Sequence, residues 1–181
     1  MAASTRVAAA AASVLIVAAC GAKNTTTEGN GIPSYLPGPD VPSASFTFNA
    51  DDGAHPVDGG SGEWTAPDSE IVVREYENIL KIDAADKTGF DYIRVELNAP
   101  GSVPLKVGDY PDARNRDRAP DSPGMLVISG SLGCDNAYGE FVIDRIERDT
   151  AGKLVALDAG FVQSCDAADR PALHARVHFR A

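Results

Sequence analysis

The chain has 181 residues, 44% of them hydrophobic and 23% charged, which is enough for one domain of ordinary size. Its 16 Lys and Arg residues face 26 Asp and Glu residues, for a formal net charge of −10. This balance argues against nucleic acid as the main partner, because phosphate binding needs clustered basic residues. Three cysteines are too few for a disulfide-stapled miniature protein.

The first twenty residues have the pattern of an export signal. Arg6 precedes an apolar run over 7–19, which as a helix is about 20 Å long and too short for the ~30 Å hydrocarbon core of a bilayer. The run ends in Val17-Ala18-Ala19-Cys20, which resembles the lipobox of bacterial lipoproteins. The resemblance implies removal of a signal peptide over 1–19, a thioether-linked diacylglycerol on Cys20, and often acylation of the new amine. An ordinary secretory signal with an incidental cysteine is the alternative.

Residues 20–44 read as a lipid-anchored linker. Positions 21–44 contain four prolines and four glycines, and their apolar residues follow no period of 2 or 3.6. We therefore expect a spacer between the membrane and a domain at 45–181. The protein would then lie outside the cytoplasm, on the cell membrane or the outer membrane. Gly21 is not the aspartate that usually signals inner-membrane retention, so outer-membrane delivery is favoured if there are two membranes.

From residue 45 apolar and polar residues alternate, as expected for half-buried strands. No window of a dozen residues carries a helical apolar stripe. We predict an all-β domain, a single antiparallel β-sandwich or barrel of about eight or nine strands. The candidate strands are 46–48, 71–73, 80–82, 93–97, 105–107, 125–129, 141–146, 155–161 and 173–179.

Three local features refine this prediction. The continuous apolar run at 125–129 suggests a strand buried on both faces. Ile146 breaks the alternation that Phe141 and Ile143 begin, which predicts a β-bulge near Asp144 and Arg145. The turn residues at 149–152 separate two strongly alternating runs and predict a hairpin.

Cys134 and Cys165 are expected near the open end of that hairpin, and outside the cytoplasm they should form a disulfide. Closing a loop of about 32 residues contributes ~3–4 kcal/mol on the chain-entropy model. Two free thiols with a redox or metal role are the alternative, although the chain has no C-x-x-C motif.

Residues 108–177 resemble a recurring domain of secreted bacterial proteins to which no catalytic activity is assigned. The resemblance implies an extracytoplasmic β-domain with a cysteine pair. Its motifs here are Gly108-Asp109-Tyr110-Pro111-Asp112-Ala113-Arg114, Gly133-Cys134, Gly139-Glu140-Phe141, Phe161-Val162-Gln163-Ser164-Cys165 and Pro171-Ala172-Leu173.

Aromatic and basic side chains are candidates for binding. Exposed aromatics could stack against sugars, or they could all be core packing; the candidates are Trp64, Tyr76, Tyr92, Tyr110 and Tyr138. His174, Arg176, His178 and Arg180 share one phase of the last strand and predict a solvent-facing basic row. The row could meet an acidic partner, or it could pair with acids on the neighbouring strand. His174 and His178 would lie ~13 Å apart along a strand, too far to chelate one ion.

Acidic residues suggest two weaker possibilities. Calcium could bind acidic loops, although no segment matches the EF-hand pattern; the loop residues are Asp51, Asp52, Asp58, Asp109, Asp112, Asp117 and Asp121. Paired carboxylates such as Asp109 and Glu140 could serve an envelope hydrolase. We expect no cofactor beyond the lipid, no metal site and no catalytic residue. The sequence favours a non-catalytic binding or structural module whose partner is an envelope protein or a glycan.

Overall fold

The computed structural model describes residues 43–89 and 91–181. The predicted signal peptide, Cys20 and nearly all of the predicted linker lie outside the described residues. Within them, no helix combines the length and hydropathy that crossing a membrane requires.

Strands make up 59% of the structure and the predicted all-β class is confirmed. The only helical element in the described part is a 3₁₀ turn at Pro100–Ser102. The strands are β1 (Ala44–Ala50), β2 (Ser61–Thr65), β3 (Glu70–Tyr76), β4 (Ile79–Ala85), β5 (Tyr92–Asn98), β6 (Gly108–Arg114), β7 (Gly124–Ser129), β8 (Leu132–Gly133), β9 (Ala137–Arg148), β10 (Leu154–Cys165) and β11 (Ala172–Arg180).

All strands join one sheet in the order β2-β1-β11-β10-β9-β6-β7-β5-β4-β3, with β8 beside β7. Every pairing is antiparallel except a single parallel bridge between Arg114 of β6 and Gly124 of β7. The sheet curls into a nearly closed barrel, because β3 at one end of this order contacts β1, β2 and β10. Arg148 of β9 reinforces the closure by donating hydrogen bonds to Glu75 of β3 and to the carbonyl of Leu105.

The core fills the barrel with one alternate set of side chains from each strand. Three phenylalanines, Phe46, Phe141 and Phe161, are fully buried among aliphatic side chains. Burying one such aromatic side chain contributes about 1.5–3 kcal/mol. A strand turned over would expose all of its apolar side chains, so the alternation in sequence determines which face of each strand points inward.

The structure has eleven strands rather than eight or nine. β2, β6 and β8 were not predicted, and residues 105–107 are not a strand. β6 contains Pro111, and its pairing with β9 is irregular between Tyr110 and Ala113. Backbone pairing with a neighbouring strand, β1 for β2, β9 for β6 and β7 for β8, therefore forms these elements, where the alternation signal in sequence is weak.

Two of the local predictions are confirmed and one is wrong. The register of β9 on β10 skips Asp144, which is the predicted bulge. The hairpin turn is closed by Asp149, whose carboxylate accepts hydrogen bonds from the backbone of Ala151 and Lys153. The run at 125–129 is not buried on both faces, because Leu126 and Ile128 point to the outer face and are only half-buried.

The predicted disulfide is present. Cys134 and Cys165 are bonded, with their Cα atoms 5.7 Å apart, at the open end of the β9–β10 hairpin. Cys134 is buried, and Asn115 donates a hydrogen bond to its carbonyl.

Candidate functional site

The polar residues of β11 do not form a solvent-facing basic row, which corrects the prediction. His178 is only 9% exposed, and its Nδ1 lies 2.6 Å from Oδ1 of Asp158 on β10. Arg180 donates to the other oxygen of the same carboxylate at 3.1 Å. The alternative, pairing with acids on neighbouring strands, is therefore correct.

A second acid beside the polar residues of β11 comes from the bulge on β9. Asp144 is the extra residue, and its carboxylate accepts a hydrogen bond from Arg176 at 2.5 Å. His174 is half-buried and lines a cavity of about 210 Å³ over the β1–β11 pair, together with Thr47, Asn49 and Arg176. This face is thus a network of mutually neutralised charges.

Two of the candidate aromatics belong to the packing of the barrel. The ring of Trp64 lies 5.2 Å from that of Phe48, between ring centroids, and borders the core. Tyr110 stacks on Phe141 at 4.5 Å, and its hydroxyl donates a hydrogen bond to the carbonyl of Lys106. These contacts favour the core-packing interpretation for both residues.

The remaining aromatics lie apart from one another. Tyr138 sits beneath the guanidinium of Arg114, 4.1 Å from its ring centroid. Tyr92 accepts a hydrogen bond from the backbone of Ser131, and Tyr76 is 62% exposed at the far end of β3. The five candidates therefore do not form a single stacking platform.

The first of the two acidic loops, which contains Asp51 and Asp58, is organised by hydrogen bonds to the backbone. Asp51 accepts a hydrogen bond from the backbone of Ala172, and Asp58 accepts one from Gly53. In the described residues, 43–89 and 91–181, no group of three or more His, Cys, Asp or Glu side chains is arranged to hold a metal ion.

The two carboxylates proposed for hydrolysis lie on the outer face of β6 and β9. Asp109 pairs with Val142, and Glu140 lies two positions before Val142 on the same side of β9. Neither residue lines the cavity over the β1–β11 pair, a second cavity beside Arg74 and Arg94, or a third beside His55 and Arg170.

A set of charges on β3, β4 and β5 forms a different surface, which the sequence reasoning missed. Asp83 of β4 lies between two arginines: Arg94 donates to its Oδ1 through Nε at 2.5 Å, and Arg74 lies 2.9 Å from its Oδ2. The hydrogen bond to Asp83 raises the pKa of Arg94 above its ordinary value, so this guanidinium stays charged.

The adjacent row repeats the arrangement. Glu96 of β5 is almost buried, and its two oxygens lie 3.0 Å from Nζ of Lys81 and from Nη1 of Arg116 respectively. Cross-strand register explains the pattern, because Lys81 is opposite Glu96 and Asp83 is opposite Arg94. We call this set the arginine face; its members are Arg74, Lys81, Asp83, Arg94, Glu96 and Arg116.

A cavity of about 330 Å³ lies on the arginine face. Its lining includes Arg74 and Arg94, the aromatic and aliphatic residues Tyr92, Val72 and Ala85, and, besides Asp83, the acid Glu70. Of the binding candidates named from sequence, Tyr92 is the one that lines this cavity. The signal that could have revealed the surface is the shared basic-to-acidic order of K-x-D at 81–83 and R-x-E at 94–96, because antiparallel pairing of two such segments places opposite charges across from each other.

The segments that resemble the secreted bacterial domain form neighbouring strands. They fall on β6, β9, β10 and β11, which are consecutive in the sheet, and on the Cys134 loop that the disulfide joins to β10. Comparison with known proteins found no family model, no curated protein and no solved structure that matches the chain.

Proposed function

We propose that the chain is a lipid-anchored lipoprotein of the bacterial cell envelope, and that its acidic β-domain is a non-catalytic binding module. The observation that carries the anchor is Cys20, placed directly after two small residues at the end of a short apolar run. Two or more acyl chains on this residue would hold the protein firmly, because a single chain gives only marginal membrane binding.

The disulfide supports an extracytoplasmic location. Bonds such as that between Cys134 and Cys165 persist in oxidising compartments and are rare in the cytosol. The disulfide joins the end of β10 to the loop before β9, so it stabilises the domain that the linker would hold away from the lipid surface.

The charges of the domain favour binding over hydrolysis. A glycoside hydrolase needs two carboxyl groups that converge in a cleft, one of them with a raised pKa. The cavity on the arginine face contains Glu70 and Asp83, but both oxygens of Asp83 are engaged by arginines, Arg74 and Arg94, so Asp83 does not supply a free second carboxyl group. Two arginines beside a cavity suit the recognition of a charged ligand.

Metabolic labelling with palmitate tests the anchor. In a bacterial host we expect the wild-type chain to incorporate the label and to sediment with membranes, and we expect Cys20→Ala to lose both properties. The double variant Cys134→Ala/Cys165→Ala is the matched control and should keep the label. Wild-type protein that is unlabelled and found in the cytosol with reduced thiols would contradict the proposal.

A further inference from the structure

We infer that the arginine face binds an acidic polysaccharide, that is, a sugar chain carrying closely spaced carboxylate or phosphate groups. The inference rests on the proposed function as a binding module and is independent of the lipid anchor. It names the site and the chemistry of the ligand.

The charges of the arginine face are layered, with cations outside and carboxylates beneath. The side chains of Arg74 and Arg94 are 53% and 44% exposed, whereas that of Asp83 between them is 24% exposed. Asp83 engages Arg94 through Nε, and the two terminal nitrogens of Arg94 have no hydrogen-bond partner among the described residues. Those nitrogens form the fork that binds a carboxylate or a phosphate through two hydrogen bonds.

The spacing of the cations suits a ligand with repeated charges. The two carboxylates that organise them, Asp83 and Glu96, lie on neighbouring strands in successive rows, and rows on one face of a strand are ~7 Å apart. Each carboxylate holds two cations, so the pair on Asp83 is followed by a second pair, Lys81 and Arg116, one row further on. A polymer with an anionic group on each sugar can contact both pairs at once.

The cavity also offers a surface for a sugar ring. Tyr92 lines it beside Val72 and Ala85, and the hydrogen bond from Ser131 to the Tyr92 hydroxyl fixes the position of that ring. Aromatic and aliphatic groups beside charged donors match a pyranose, which has apolar C–H faces and polar edges. This combination favours a charged sugar over a bare polyphosphate.

Charge elsewhere on the molecule confines the ligand to this face. The protein carries a net charge of −10, and the arginines paired on the outer face of β9–β11, Arg176 and Arg180, are only 15% and 29% exposed, less than Arg74 and Arg94. Glu70 lines the same cavity and limits the positive surface at one edge. Removing this negative charge should therefore strengthen binding, while removing a cation should weaken it.

Binding of polygalacturonate to the full-length protein in detergent tests the inference by calorimetry. We expect polygalacturonate to bind, and its methyl-esterified, uncharged form not to bind. Binding should weaken when salt rises from about 50 mM to about 500 mM, because exposed charges are screened over a shorter distance. Inorganic polyphosphate is the second probe. If it binds as tightly as polygalacturonate the sugar part of the inference is wrong, and if neither anion binds the whole inference is wrong.

Substitutions locate the site. Arg94→Ala should weaken polygalacturonate binding about tenfold, the effect of losing one charge-assisted contact. Glu70→Gln should strengthen it two- to threefold, or about 0.5 kcal/mol, as expected for an exposed charge. Arg74→Ala provides a second test should Arg94→Ala fail to fold. Arg145→Ala is the matched control, because Arg145 has a similar exposure on β9, and its binding should stay within about twofold of wild type.

Equal losses in Arg94→Ala and Arg145→Ala would overturn the site, because they would indicate attraction to net charge alone. Failure of this experiment leaves the palmitate result untouched, so the ligand and the anchor are tested separately.

Discussion

A buried glutamine in the core allows a sharp test of the packing. Gln163 lies on β10 between Gly139 and Leu173, is fully buried, and has no hydrogen-bond partner for either amide atom among the described residues. Burial of an unpartnered amide costs about 1–3 kcal/mol in protein mutational data. We therefore expect Gln163→Met, which nearly conserves volume, to stabilise the domain.

The magnitude follows from two opposing contributions. Removing the unpartnered amide gains about 1–3 kcal/mol, and repacking a volume-conserving substitution costs less than ~1.5 kcal/mol. The net gain in the free energy of unfolding should be about 1 kcal/mol, which corresponds to a rise of roughly 3–5 °C in Tm for a domain of this size. Urea denaturation at equilibrium, followed by circular dichroism, measures the change, and the m-value should stay constant.

The next residue along the strand provides the control. Ser164 is also buried, but its hydroxyl donates a hydrogen bond to the carbonyl of Arg170 at 3.0 Å. Ser164→Ala should therefore lower stability by about 1 kcal/mol, opposite in sign to Gln163→Met. A loss of more than about 1 kcal/mol in Gln163→Met would refute the reasoning, because it would show that the amide is hydrogen-bonded in solution.

Three further predictions concern stability and pH. Replacing both Cys134 and Cys165 by alanine should lower the free energy of unfolding by ~3–4 kcal/mol, measured in urea without reductant, and a loss under 1 kcal/mol would contradict the chain-entropy account. Asp158→Asn, which removes the carboxylate shared by a histidine and an arginine, should cost about 2–3 kcal/mol in the same assay, whereas an unchanged midpoint would show that the network is not stabilising. The hydroxyl of Thr88 holds the pKa of Asp86 below its ordinary value of 3.8, so this interaction stabilises the fold above about pH 3.8 and is lost as pH falls through the lowered pKa. Thr88→Ala should return the Asp86 pKa towards 3.8 in an NMR titration, and an unmoved titration curve would assign the shift to the backbone amides instead.

The strands that could be predicted are those whose core residues alternate strongly. Phe46 with Phe48, and Ile93 with Val95, identify β1 and β5 directly, because burying one face of a strand requires period 2. β6 could not be predicted from its sequence, GDYPDAR, because that segment has a single large apolar side chain and a proline. Its strand geometry is imposed by pairing with β9, and pairing between segments distant in sequence leaves no local signal.

At the bulge and on the arginine face, the sequence likewise shows the charged side chains but not their partners. The broken alternation before Ile146 places the bulge, but only the fold shows that the extra residue, Asp144, turns its carboxylate to Arg176. Likewise the charges of Lys81 and Glu96 are visible in sequence, while Arg116 reaches Glu96 from a loop 20 residues away. Sequence thus identifies the phase of a charged residue, and tertiary structure selects its partner.

For this protein, composition and periodicity alone determined an acidic, all-β domain, its disulfide and its hairpin, because each depends on short-range pattern or on a count of residues. The number of strands, the closure of the barrel by β3 and the neutralisation of the β11 cations were decided only in three dimensions. The physical reason is that backbone pairing and ion pairing depend on which segments become neighbours. Which segments become neighbours depends on how the whole sheet packs around one core.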